Sequence, residues 1–293
     1  MTTNLKYLKF FVLGLFLTVG TTAFAQPDDE ENPNVTESGN TPDERPRDNF
    51  YDRYIYTEKN VLAYPFVHEK DVFWEKRIWR LIDIREKFNH RFKNEKAPFI
   101  NIILNAAKEG DITLYHAYKD DFEMAMTQEE MQNIGNSVDT IITFDPETFE
   151  EIVQEVVNEL NPEDIKKYRM KEVWFFDEER SELDVRILGI APIIDRVDDN
   201  GNFLNSGPMF WCYYPEMREV LARQEAFNYH NDAARMTWED IFEARLFHSY
   251  IIKESNVYDR RIKDYKTSPM DILLESDDIK SKIFNFEHDL WTY

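Results

Sequence analysis

Lys171-Glu172-Val173-Trp174-Phe175-Phe176-Asp177-Glu178-Glu179-Arg180-Ser181-Glu182-Leu183-Asp184-Val185-Arg186-Ile187 carries the clearest sheet signal in this chain. An aromatic, β-branched run enters a polar stretch at Asp177–Ser181. The chain returns with apolar and charged residues in strict alternation, so the segment reads as a hairpin. Leu188 to Ile194 extends the second strand, with Pro192 expected at a bend or bulge. Asp199-Asn200-Gly201-Asn202 supplies an Asn-Gly turn, and Met209 to Tyr214 a further strand. Arg186 alternates with apolar neighbours, so it is expected on the face away from the packed side, serving an interface or solubility.

Upstream, Ile112–Tyr115 and Val138–Phe144 read as short strands. Three stretches read as helix. In Asp71 to about Lys93, Trp74, Ile78, Leu81, Arg85, Phe88 and Phe92 recur at steps of four and three. A second helix opens at Ala97-Pro98, runs to about Lys108 and stops at Gly110. A third follows Asp145-Pro146-Glu147, with Phe149, Ile152, Val153, Val156 and Leu160 inward. Asn161-Pro162-Glu163-Asp164 starts a helical turn. Downstream, helices are expected from Pro215 to about Gln224, from Thr237 to about Glu254, and from Ser268-Pro269 onward. Helices, then a mostly antiparallel sheet, then helices define an α+β fold, an antiparallel sheet flanked by helices.

The N-terminus has a different character. Lys6 and Lys9 precede an apolar run from Phe10 to Val19, and Ala23-Phe24-Ala25 fits an A-x-A cleavage site. Residues 1–25 therefore read as a secretory signal peptide, cut between Ala25 and Gln26. The run is shorter than the roughly 20 residues a membrane-spanning helix needs. No cysteine follows it for lipidation. Residues 26–49 hold four prolines, eight acids and two bases, a composition expected to form a disordered acidic linker. A single α+β domain is expected over 50–293, its tail from about 255 either extended or docked on a partner.

The chain of 293 residues carries a net charge of −22, and losing Lys6 and Lys9 takes it to −24. Such a surface repels phosphate backbones and anionic lipid heads, which argues against nucleic acid. Cys212, alone in an apolar setting, reads as a buried inert thiol with no disulfide to form. With 8 glycines there is no phosphate-cradling Gly-rich loop, and no G-x-S-x-G elbow. The histidines His68, His90, His116, His230, His248 and His288 show no zinc-site spacing. Asp198–Asn202 fails the calcium-loop register, because position 1 falls on Arg196 when Gly201 is position 6. No catalytic, cofactor or metal residues are therefore assigned, and no small-molecule substrate. Trp74, Trp79 and Trp174 read as core. Aromatics make up 15% of the chain, rich for so acidic a protein, and aromatics concentrate at interface centres. Phe50, Tyr51, Tyr54 and Tyr56, just after the linker, and Trp291 and Tyr293 at the other end, are candidate interface residues together with Arg186.

Two blocks carry a resemblance: Asp71-Val72-Phe73-Trp74-Glu75-Lys76-Arg77-Ile78-Trp79-Arg80-Leu81-Ile82-Asp83-Ile84-Arg85-Glu86-Lys87-Phe88-Asn89, and Lys171–Asp177 with Arg186-Ile187-Leu188-Gly189-Ile190-Ala191-Pro192. They resemble the gliding-motility GldN (PorN) family of Bacteroidota, over about Asp48 to Ile252. The resemblance implies a non-enzymatic component of the type IX secretion system. It implies a periplasmic protein held to the inner face of the outer membrane by a lipoprotein of the GldK (PorK) family. It also implies self-association in a large ring that meets the periplasmic part of the GldM (PorM) motor. The alternatives are a periplasmic acidic enzyme, a carbohydrate-binding protein, or an adaptor for secreted cargo.

Overall fold

The structure, a computed structural model, describes residues 61–290 apart from 135, 145–150, 198–202, 230 and 232. Its elements in chain order are β1 (Val72–Asp83), α1 (Phe99–Glu109), β2 (Leu114–His116), α2 (Gln128–Asn133), β3 (Asn136–Phe144), β4 (Glu151–Glu159), β5 (Ile165–Asp177), β6 (Glu182–Val197), β7 (Phe203–Pro208), β8 (Phe210–Tyr213), α3 (Tyr214–Arg223), β9 (Glu225–Ala226), β10 (Met236–Thr237), α4 (Trp238–Glu243), β11 (Tyr250–Glu254) and α5 (Pro269–Leu290).

The hairpin read from the sequence is the centre of the fold. β5 pairs antiparallel with β6 from Ile165↔Ile194 to Asp177↔Glu182. At the turn, Asp177 Oδ1 accepts the amides of Glu179 and Arg180 at 3.0 and 3.4 Å. Ser181 takes a left-handed φ of 56° to bring the chain back. Around this pair a seven-stranded sheet runs β11-β1-β5-β6-β8-β2, with β7 also beside β6, every pairing antiparallel. Pro192 sits in register opposite Tyr168, not in a bulge. It lies where the outer partner of β6 changes from β8 to β7, and its carbonyl accepts the Met209 amide at 2.9 Å. There its missing N–H leaves no ladder bond broken.

Paired residues of an antiparallel ladder share a face. Register therefore puts Ile82, Tyr168, Met170, Ile187, Ile190, Cys212 and Leu114 on one face. The main core forms there, against α1, α3 and α4 through Phe99, Ile103, Met217, Leu221, Trp238 and Phe242. Near β11 the same face holds Ile78 and Ile251 against Ile279 and Ile283 of α5. The opposite face carries a smaller cluster, Trp79, Ala191 and Trp211. The fold is α+β, as the sequence predicts.

α1 follows the expected bounds, and Gly110 at φ 85° closes it with its amide on the carbonyls of Ala106 and Ala107. α3, the turn Pro162–Asp164 and β8 also stand where expected. Three helical expectations fail. The predicted helix Asp71–Lys93 is strand β1 followed by a 3-10 turn, Lys87–Lys93. β1 lies between β5 and β11 and is buried on both faces from Ile78 to Ile82, so its apolar run mimics helical spacing. The predicted helix after Asp145 is β4, paired with β3 over its whole length; its Ile and Val residues favour a strand. Phe149 and its proposed cap lie outside the described residues. The predicted helix from Thr237 ends at Glu243. Arg245 then takes φ 53°, and Tyr250–Glu254 adds to the edge of β1 as β11. The helix expected from Ser268-Pro269 onward is present as the 22-residue α5, inside the segment also expected as an extended or docked tail.

Cys212 is buried, and burial pushes its thiol well above the ordinary range. The Asn200-Gly201 turn lies outside the described residues, between the paired ends Val197 and Phe203. Trp79 is buried, and Trp74 and Trp174 pack against the α5 cluster.

Candidate interaction surface

Residues 182–188 of β6 pair with β5 alone among the described residues, because β8 reaches only Gly189 and Ile190. Here Val61-Leu62-Ala63-Tyr64-Pro65-Phe66, an extended strap before β1, is fastened between β6, α3 and α4. Arg186 donates from Nη2 to the Pro65 carbonyl at 2.6 Å, and Arg218 of α3 from Nη1 to the Leu62 carbonyl at 2.9 Å. The Tyr64 ring lies 4.1 Å from the Arg218 guanidinium and 5.2 Å from that of Arg186. Its hydroxyl donates to Glu243 Oε1 at 2.6 Å, an oxygen that also accepts from Tyr214 at 3.0 Å.

α4 supplies both acids of this network. Thr237 and Asp240 form a reciprocal cap that sets the start of the helix. Glu239 and Glu243, one turn apart, then share a face. Arg218 pairs with Glu239 at 3.0 Å, both side chains 9% exposed, and reaches Glu243 at 3.3 Å. Burial and the Glu243 carboxylate push the Tyr64 and Tyr214 hydroxyls far above their ordinary range, so both stay protonated donors. The arrangement holds a strap; nothing in it is poised for proton transfer.

The strap leaves apolar surface in the open. Leu62 is 85% exposed, Phe66 78% and Phe73 63%. Phe73 also lines an open groove of about 700 Å³, together with Val173, Phe175 and Leu188 and the charged Glu75 and Arg77. Contiguous apolar surface of this kind marks interaction sites.

Arg186 is therefore on the face away from the main core, and its immediate duty is internal: it anchors the strap. Phe50, Tyr51, Tyr54, Tyr56, Trp291, Tyr293 and the Ala25–Gln26 junction lie outside the described residues. Sequence reading missed Tyr64, Arg218, Glu239 and Glu243. Two glutamates a turn apart behind a capping threonine were a visible signal. Nothing local linked them to Arg218, 21 positions earlier. Among the described residues no group of three or more His, Cys, Asp or Glu could hold a metal ion. No helix among them is long and apolar enough to cross a membrane.

An antiparallel sheet with its main core on one face, a smaller cluster on the other, a strap and open aromatic surface defines an α+β domain. Comparison with protein families identifies which kind. The model of gliding motility associated protein GldN matches residues 67–292, and the chain belongs to that family. The match begins at 67, later than the Asp48 where the sequence resemblance starts, and runs past that resemblance's end near Ile252 to take in all of α5. Comparison with curated proteins gives no match. Family membership makes the protein a component of the gliding-motility and type IX secretion machinery.

Proposed function

We propose that this protein is a non-enzymatic structural subunit of a ring beneath the outer membrane, in the type IX secretion and gliding machinery. It works in the periplasm, is held there by a lipoprotein of the GldK (PorK) family, and meets the periplasmic part of the GldM (PorM) motor. The observation that carries the reading is the family match over 67–292, which spans the whole sheet and α5. The exposed strap and groove support it, because recurrent assembly needs apolar anchors within a charged rim. The acidic surface, net −22, then sets register and suppresses wrong contacts.

The contacts assigned to the lipoprotein are Phe50, Tyr51, Tyr54 and Tyr56, which lead directly into the strap. Trp291 and Tyr293, which follow α5, are assigned to a neighbouring subunit. The test is capture from detergent-solubilised envelopes with a tagged full chain. The reading expects one acylated outer-membrane protein in near-stoichiometric yield, lost on replacing Tyr51 and Tyr54 with Ala. Unchanged capture by that variant removes the assignment of these residues. Capture of no acylated protein by the unaltered chain removes the lipoprotein reading.

A further inference from the structure

The second face of the sheet holds a cavity unrelated to the strap. It is an open cleft of about 330 Å³, within the size range of small-ligand sites. Trp79 and Trp211, 7% and 1% exposed, form its floor with Ile252. The loop 117–121 walls one side, and Asp259 and Arg261, after β11, the other.

The charges around it are unusual for this molecule. Four cations line it, Lys119, Arg169, Lys253 and Arg261, against three carboxylates, Asp120, Asp121 and Asp259, in a chain of net charge −22. The carboxylates are taken. Asp259 pairs with Lys253, and Asp121 with Lys119 at 3.8 Å. Asp120 accepts the Trp79 indole N–H at 2.5 Å and stands 3.8 Å from the buried Lys171, which also donates to its carbonyl. Arg169 and Arg261 remain, with no carboxylate in ion-pair range among the described residues. The Arg169 Nε is sealed from solvent with no acceptor. Burial, and then the Arg261 charge, pull the Arg169 guanidinium down to about 10, with Asp120 acting more weakly the other way. Two like charges thus line one cleft over an aromatic floor, with Asp120 offsetting them only in part, and an anion between them lowers that cost further.

We propose that this cavity binds a small organic oxyanion, a carboxylate or phosphate group clamped by Arg169 and Arg261 with its body against Trp79 and Trp211. Planar guanidinium groups suit both oxyanions because each can be met by two parallel N–H bonds. The surrounding loop is built to keep its shape. Phe122 is fixed at φ 60° with its ring against Tyr115 and Tyr213, so the wall carrying Asp120 stands ready before a ligand arrives.

The test is quenching of tryptophan emission in the purified full chain, titrated with inorganic phosphate, with succinate, and with sodium chloride as a control at matched ionic strength. Saturable quenching by phosphate or succinate, absent with chloride, is expected, and the stronger of the two identifies the oxyanion. Arg261→Gln, in a surface loop, should weaken binding at least tenfold. Arg169→Lys, which keeps the charge and loses the fork, should weaken it less than Arg169→Gln. Each variant's thermal transition is compared with the parent's, and if Arg169→Gln fails to fold, Arg261→Gln decides alone. Quenching that is linear, that chloride reproduces, or that Arg261→Gln leaves unchanged overturns the proposal.

Discussion

Glu172 is fully buried in the sheet, on the face packed by the helices, and its environment shows how an acidic side chain is held there. One oxygen receives Arg245 at 2.6 Å and the other the Trp174 indole N–H at 3.0 Å. Arg80, next along β1, spends its own donors on Ser249, at 2.9 Å to Oγ and 3.2 Å to the carbonyl. Arg245, which makes that contact, sits at a left-handed φ of 53°. Removing one member of a buried pair strands the other. Glu172→Gln should therefore cost about 3 kcal/mol, the low end for buried pairs because Arg245 is partly exposed. A urea midpoint shifted at constant slope is the expected reading; a loss under about 1 kcal/mol means the pair is not holding the loop 244–249. Tyr64 acts locally in the same way. Tyr64→Ala should leave the fold standing but release residues 61–66, giving early cleavage there in limited proteolysis. A strap that resists protease as well as the parent does contradicts its pinning by Arg186 and Arg218.

Among the elements, the bulge in β6 links the sheet to the loop over its second face. Gly189 pairs with Lys171 while Ile187 pairs with Glu172, so Leu188 is an extra residue. A Cβ on Gly189 would lie 2.5 Å from the Phe122 ring and 2.9 Å from the Cys212 carbonyl oxygen. The backbone oxygen cannot move aside, so Phe122 must, and the 117–125 loop with it. Gly189→Ala should destabilise by about 1–3 kcal/mol, as overpacking does. It should also change the emission of Trp211, whose ring centre lies 6.1 Å from that of Phe122. An unaltered spectrum and melting point contradict this packing. The glycine was visible in the sequence, but its neighbours were not, since Phe122 comes from 67 positions away. The hairpin 171–187 was legible for the opposite reason: its pairing is local, and its polar turn and alternation record one face buried and one less so. β1 was not, because burial on both faces erases the alternation that distinguishes strand from helix. β11 was misread because its pairing partner, β1, lies about 170 residues earlier and no local signal ends the helix before it. Of the candidate surface, the aromatic wealth was legible; the arginine and tyrosine contacts that fasten the strap were not, because they join it to three separate elements, β6, α3 and α4.

At the scale of the molecule, ionisable groups inside the sheet and its helices set a pH limit. Tyr64, Tyr168 and Tyr214 have hydroxyls raised above the ordinary value of 10.0, chiefly by burial. For a group whose folded pKa is raised, the stabilisation is complete below the unfolded value and is lost as pH rises beyond it. Stability should therefore hold up to about pH 10 as far as these tyrosines decide it, and fall steeply above, with Tyr absorbance at 295 nm rising together with unfolding. Tyrosines that ionise fully while the chain stays folded contradict that account. The wider claim is that this domain is a building block whose open strap and groove are covered by neighbours. It is tested most directly by the particle size of a tagged copy, purified from gently solubilised envelopes of its own host. The account predicts a ring-shaped particle in the megadalton range, containing many copies together with an acylated partner. A lone monomer that stays in solution without membrane contradicts it.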